Sequence, residues 1–277
     1  MNERSAAGAN EIPESCEVRA QGGAGDAAVV QARDVTRRFG SGDAAVDALR
    51  GITVDLVRGR FTAVMGPSGS GKSTMMHILA GLDEPTSGSV VIDDIEITRL
   101  KERALTKLRR DKIGFVFQTF NLLPMLTAGE NLVLPLTIAG RKPDEAWFET
   151  LVATVGLGDR LGHRPAELSG GQQQKVAIAR ALVGKPAVVF ADEPTGNLDS
   201  KSGDEVLSLL RRSADELRQT IVMVTHDARA AAIADRIIFL QDGRIVLDCG
   251  HMSRDEIFDT IKDLEATSDG DGGRATT

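Results

Sequence analysis

The 277-residue sequence has no tyrosine, one tryptophan and two cysteines. Cys16 and Cys249 are too few for a disulfide framework or a cysteine-rich zinc site, so the expectation is two free thiols in a reducing cytosol. No run of about 18 apolar residues occurs. The nearest candidate, residues 119–140, is broken by Asn121, Pro124, Glu130, Asn131 and Pro135. The chain is therefore not expected to span a membrane on its own. The N-terminal "MNERSAAGANEIPESCEV" has no apolar segment of the secretory kind. There is no Lys/Arg run, and the net charge is −7, which argues against a general nucleic-acid footprint.

What is present fits a soluble globular chain, with 42% hydrophobic and 26% charged residues. The length suits one large domain, or one domain with a subdomain. Residues 1–27 are rich in Gly, Ala, Ser and Glu without periodicity and read as a disordered tail, as does the terminal "ATSDGDGGRATT". "VVQARDVTRRF", "ITVDLV" and "SVVIDDIEI" read as strands of a small, partly antiparallel sheet. Thr62–Met65, Ile113–Phe117, Ala187–Ala191, Ile221–Thr225 and Ile237–Leu240 are short, nearly continuous apolar runs. Such runs mark strands of a parallel sheet covered on both faces, and helical patterns separate several of them. "LQDGRIV" reads as a hairpin through Asp242-Gly243. Residues 119–168 are Leu-rich and mostly helical, an insertion in an α/β core. The resulting division is a tail over 1–27, a main domain over 28–250 with a helical subdomain over 119–168, and a C-terminal helix and tail over 251–277.

"GPSGSGKST", Gly66 to Thr74, follows an apolar strand and precedes the helical "TMMHILAGL". It fits the phosphate-loop pattern: Gly66, Pro67, Ser68, Gly69, Ser70 and Gly71 curl the backbone so that its N–H groups face phosphate oxygens. Lys72 reaches the terminal phosphates, and Ser73, with Thr74 beside it, supplies a hydroxyl for Mg²⁺. "VVFADEP" is a buried strand ending in two carboxylates. Asp192 suits the Mg²⁺ shell, and Glu193 can orient or deprotonate a water, or can instead simply cap the next helix. "ELSGGQQQKVAIARAL" contains a second anion-type site, a serine and two glycines opening a helix, yet it has no lysine where a phosphate loop needs one.

With "FVFQTF", "GNLDS" and "VTHD", these segments stand in the order found in ATP-binding cassette (ABC) proteins, and the chain resembles the nucleotide-binding subunit of an ABC transporter from about residue 28 to 250. The resemblance implies a P-loop NTPase core with a small antiparallel β subdomain and a helical subdomain. It implies that Gln118 touches Mg²⁺ and the attacking water and relays to a membrane partner. His226 is implied near the γ-phosphate and Asp199 along a dimer interface. Phe39 stands where the family places an aromatic against adenine; a core aromatic is the alternative. Ser169, Gly170, Gly171 and Gln172 would close over the ATP held by the phosphate loop of a second copy. His77, His163 and His251 match no motif.

"NLLPMLTAGENLVLPL", "HRPAELSGGQQQKVAIARAL" and "EPTGNLDS" are similar to cassettes of the macrolide-export, lipoprotein-release and cell-division type. That resemblance implies an ATPase using ATP and Mg²⁺ at the cytoplasmic face of the membrane. A separate integral membrane permease would be driven by closure of a homodimer, without nucleic acid. Export or extraction of an antimicrobial peptide, macrolide or lipoprotein is the implied work. Mechanical signalling through a cell-division-type partner is the alternative. Phe120, Leu122 and Leu123 either dock the permease or belong to the core. Lys175 departs from the arginine usual in these relatives.

Overall fold

The computed structural model describes residues 16–17 and 28–271. In chain order the strands and helices begin with β1 (Cys16–Glu17), β2 (Ala28–Phe39), β3 (Val46–Val57), β4 (Phe61–Met65) and α1 (Lys72–Leu79). Next come β5 (Ser87–Ile92), β6 (Ile95–Glu96), α2 (Glu102–Lys112), β7 (Ile113–Val116), α3 (Ala128–Ile138), α4 (Glu145–Val155) and α5 (Gly170–Leu182). The chain continues with β8 (Val188–Asp192), α6 (Ser200–Glu216), β9 (Ile221–Val224), α7 (Ala228–Ala231), β10 (Arg236–Gln241), β11 (Arg244–Cys249) and α8 (Arg254–Asp271).

Two sheets form. The larger runs β1-β11-β10-β4-β9-β8-β7, and the smaller runs β3-β2-β5-β6. In the larger, β10, β4, β9, β8 and β7 are mutually parallel, while β11 and β1 add antiparallel pairs at one edge. The smaller sheet is antiparallel throughout.

The apolar runs are continuous because both faces of the larger sheet are buried. Their side chains still alternate. Ala63, Met65, Val189, Ala191, Ile221, Met223, Ile237 and Phe239 enter one core together with residues of α3, α4, α5 and α6. Val64, Val188, Phe190, Val222, Val224, Ile238 and Leu240 enter a second core with Met75, Met76, Ile78 and Leu79 of α1 and with the small sheet. Hence α1 and α5 pack on opposite faces of one sheet. Each fully buried side chain of this size contributes about 1.5–3 kcal/mol.

Several sequence expectations change. "SVVIDDIEI" is a hairpin, not one strand: Asp93 and Asp94 take φ of 48° and 66° between β5 and β6. Two left-handed residues make a tight strand-reversing turn, and aspartate tolerates that region better than most residues. Residues 266–271 continue α8, whereas residues 272–277 lie outside the described residues.

The two cysteines are not free thiols. Cys16 and Cys249 form a disulfide. The pair stands directly opposite in the β1–β11 ladder, with Cα atoms 4.0 Å apart, which places Cys16–Glu17 in a strand inside the segment expected to lack structure. The remainder of residues 1–27 lies outside the described residues. A sequence separation of 233 residues carries no local signal for this pairing. Because the bond closes nearly the whole chain into one loop, reduction or Cys16→Ser is expected to lower unfolding stability by about 2–5 kcal/mol. Denaturant titration with and without reductant measures this; coincident curves would contradict it.

Candidate functional site: a strand-end phosphate loop

The main features of the site leave the same edge of neighbouring parallel strands. Val64 pairs with Val224, and Val224 pairs with Asp192, so the ends of β4, β9 and β8 are level. The phosphate loop follows β4, His226 follows β9 by two residues, and Asp192 ends β8 with Glu193 immediately after it. Gln118 stands two residues past β7, the next strand over. The carboxyl edge of an open parallel sheet is where such folds bind ligands.

The loop cannot be built without glycine at two points. Gly66 has φ 146°, and a Cβ there would lie 1.9 Å from the Leu240 carbonyl oxygen. Gly71 has φ 101° and would meet the Ala48 carbonyl at 2.5 Å. The β10–β11 turn braces the loop, since Gly243 N–H donates to the Ser70 carbonyl over 3.0 Å. Lys72 Nζ donates to the carbonyls of Gly66 (2.9 Å) and Pro67 (2.8 Å). Burial holds its ammonium below the ordinary lysine value, while Glu193 and Asp192 pull in the opposite direction. Gly71 also precedes α1, whose first N–H groups have no intrahelical partners and suit phosphate oxygens.

Burial pushes the Asp192 carboxyl above its usual range, with Glu193 adding to the rise; His77, the Ser73 hydroxyl and Lys72 oppose it. His77 Nε2 lies 3.9 Å from Asp192 Oδ2. His77 matches no motif, although its position four residues after Ser73 places both on one face of α1. A desolvated carboxylate beside a hydroxyl is an oxygen donor set suited to a hard divalent cation, so these residues fit Mg²⁺. Among the described residues no group of three or more His, Cys, Asp and Glu could hold a metal ion by itself. A cation here would therefore draw on hydroxyl, amide and phosphate oxygens as well.

Glu193 sits at φ 46°, an uncommon conformation for a non-glycine residue and one that costs about 1 kcal/mol. Its Oε1 accepts from His226 Nδ1 over 2.8 Å. The Gln118 side chain lies against Gly196, where an added Cβ would come within 2.7 Å of the glutamine Nε2. Asn197 Nδ2 donates to the Gln118 carbonyl over 3.1 Å. Asp199 caps α6, accepting from the Ser202 amide and hydroxyl, and these bonds hold its carboxyl below the usual range. Phe39 ends β2 and is 42% exposed, with the Arg37 guanidinium 4.6 Å from its ring centre.

The second loop is a helix start. Ser169 caps α5 and accepts from the Gln172 N–H, while Gln172 Oε1 accepts from the Ser169 N–H. Gly170 is confined by Leu198 and Phe120, and Gly171 by Ser202, so a side chain at either would press on the segment opening α6. Phe120 is thus packed against the loop of Ser169, Gly170, Gly171 and Gln172, the signature loop, rather than free. Leu122 packs on the core, whereas Leu123 is 47% and Met125 83% exposed. Lys175 forms an ion pair with Glu205 of α6 over 2.7 Å. Two residues of α5 that the sequence reading passed over, Gln174 and Arg180, hold backbone carbonyls on both sides of the site.

Residues 49–196 match the model of the ABC transporter family. The chain belongs to the ABC transporter family of ATP-binding proteins. This cassette is 52% identical over 189 residues to the lipoprotein-releasing system ATP-binding protein LolD of Syntrophotalea carbinolica, covering 68% of this chain and 83% of that one. It is 53% identical over 202 residues to the macrolide export ATP-binding/permease protein MacB 1/2 of Paracoccus denitrificans, covering 72% of this chain but 30% of that longer one. Among solved structures, it superposes on a dimeric post-hydrolysis state of the cassette MJ0796 bound to ADP and Pi. The TM-score is 0.72 at 43% identity, with 81% of this chain and 99% of that one covered. MJ0796 comes from Methanocaldococcus jannaschii. The cassette therefore has the P-loop ABC fold, binds ATP and is an ATPase. Among the described residues no helix is long and apolar enough to cross a membrane.

Proposed function

We propose that this cassette drives a separate integral membrane permease in export or extraction, by ATP-dependent closure of a homodimer at the cytoplasmic face of the membrane. The observation that carries the proposal is the packing of α1 and α5 on opposite faces of the main sheet. Each helix begins with an anion-type N-terminus, but only α1 has a lysine at its first position. The α5 terminus is best employed against phosphate held by a second chain, as an arginine finger is supplied in trans. MJ0796, similar along nearly its whole length, is described as dimeric. A two-fold dimer of this kind would hold two equivalent sites.

In this reading residues 66–74 hold the phosphates, and Phe39 offers its open face to adenine while Arg37 backs the other face. Ser73, Asp192 and Gln118 would hold Mg²⁺, which when bound offsets charge on the phosphate oxygens. Glu193 orients and deprotonates the attacking water, and His226 fixes the carboxylate. Ser169, Gly170, Gly171 and Gln172 serve the partner's ATP, and Asp199 borders the interface. The printed names of LolD and MacB favour release or export, and Leu123 and Met125 are apolar groups free to meet a permease helix.

Ser169→Arg tests the reading. It should leave ATP binding by the single chain within about twofold of wild type and reduce hydrolysis by about 10²-fold, since only the trans contact is blocked. Wild-type hydrolysis by this variant, measured by phosphate release, would overturn the proposal.

A further inference from the structure

Gln174 lies on α5 about one and a half turns past Ser169 and is fully buried. Its Nε2 donates to two carbonyls that belong to different motifs, Phe117 (3.3 Å) and Pro194 (2.7 Å). Phe117 immediately precedes Gln118, and Pro194 immediately follows Glu193. One amide therefore clamps the backbone on the near side of each of the two groups assigned to the water. The amide orientation follows from its partners. Two carbonyls can only accept, so the nitrogen must face them; Oε1 is left buried without a hydrogen bond.

We infer that Gln174 is a positioning residue for hydrolysis, setting the separation of Gln118 from Glu193 and tying both to the helix that carries the signature serine. The inference rests on the roles proposed above for Gln118 and Glu193. Neighbouring bonds are of two kinds: those of Arg180 hold the segment after Gln118, and Asn197, four residues past Glu193, adds a second tie across the gap. Arg180 donates to the carbonyls of Phe120 (3.0 Å) and Asn121 (2.6 Å), and Asn197 donates to the carbonyl of Gln118. Gln174 differs in reaching both strand ends from α5, through the carbonyls that flank Gln118 and Glu193. Its hold on Pro194 matters because Glu193 already sits at a strained φ, where a small shift of the following peptide re-aims the carboxylate. Displacement by about 1 Å at a reacting group costs about 10²-fold in rate, so a clamp at this point acts on turnover. Phosphate and adenine contacts lie elsewhere, on residues 66–74 and Phe39, so nucleotide affinity should not follow.

The test uses the full chain with Gln174→Met, which keeps the length of the side chain and removes the donor. Gln174→Glu, nearly equal in volume, is the second variant should the first not fold. Turnover, ATP KM, ATP affinity and thermal midpoint are measured for each, alone and with Glu193→Gln. The expected result is a kcat lowered by about tenfold or more with KM and affinity within about twofold of wild type, and no further loss when Glu193→Gln is present. A kcat within about twofold of wild type overturns the inference, as does a parallel fall in kcat and affinity, the mark of a merely structural role. An added loss of similar size in the Glu193→Gln background also overturns it. Glu193→Gln alone separates the two levels: wild-type turnover there removes the underlying reading, whereas its loss beside an unaffected Gln174→Met removes this inference only.

Discussion

Glu193→Gln is expected to bind ATP nearly as tightly as wild type and to hydrolyse it about 10²–10⁴-fold more slowly. The substitution keeps the size and the polar contacts of the side chain, so the left-handed backbone at residue 193 and the packing of Pro194 are unchanged. What it removes is the negative charge and the basic oxygen. Glu193 Oε1 accepts from His226 Nδ1, and a glutamine oxygen can accept that bond while offering no base to water. The phosphate loop, on β4, is untouched, so binding persists. With hydrolysis blocked, ATP-bound dimers should accumulate on a sizing column. Single-turnover phosphate release and a nucleotide titration check the two halves separately. Hydrolysis at the wild-type rate would remove Glu193 from the reaction.

Lys72→Ala has the second large effect, of the opposite kind. ATP affinity should fall by about 10–100-fold, the loss of one charge-assisted contact to phosphate. The ammonium is already partly stripped of water and rests on the Gly66 and Pro67 carbonyls. It is preorganised beside the loop rather than swinging free, so little ordering cost offsets the contact. The glycines keep the loop folded, since their constraint is steric contact with the Leu240 and Ala48 carbonyls and not the lysine. A circular dichroism spectrum like wild type beside weakened binding is the expected pair of results. Unchanged affinity would sink the phosphate-loop assignment.

The strands of the larger sheet could be read from the sequence because burial on both faces leaves an unbroken apolar run, as at Val188–Ala191 and Ile221–Val224. The phosphate loop was legible because its geometry admits glycine only at fixed points. The cap at Ser169 was legible because serine before a glycine pair and a glutamine leaves few other structures open. Other features were not. The β5–β6 turn uses two aspartates where glycine or asparagine is the usual signal. The Cys16–Cys249 bond joins positions too far apart for any local pattern. His77 and Gln174 act through partners at the ends of β8 and β7, and their contacts exist only after the sheet has brought those strands level.

In the proposed dimer each ATP site takes its phosphate loop from one chain and Ser169 from the other. Mixing Lys72→Ala with Ser169→Arg is the decisive measurement. At an ATP concentration that saturates wild type but lies well below the Lys72→Ala dissociation constant, each variant alone should be nearly inactive. Random pairing would make about half the dimers mixed, each with one intact site out of two, so the mixture should recover up to about a quarter of wild-type turnover per chain. Recovery should rise with total protein concentration as dimers form. A mixture no more active than its components, under conditions where wild type dimerises with ATP, would rule out a site shared between two chains.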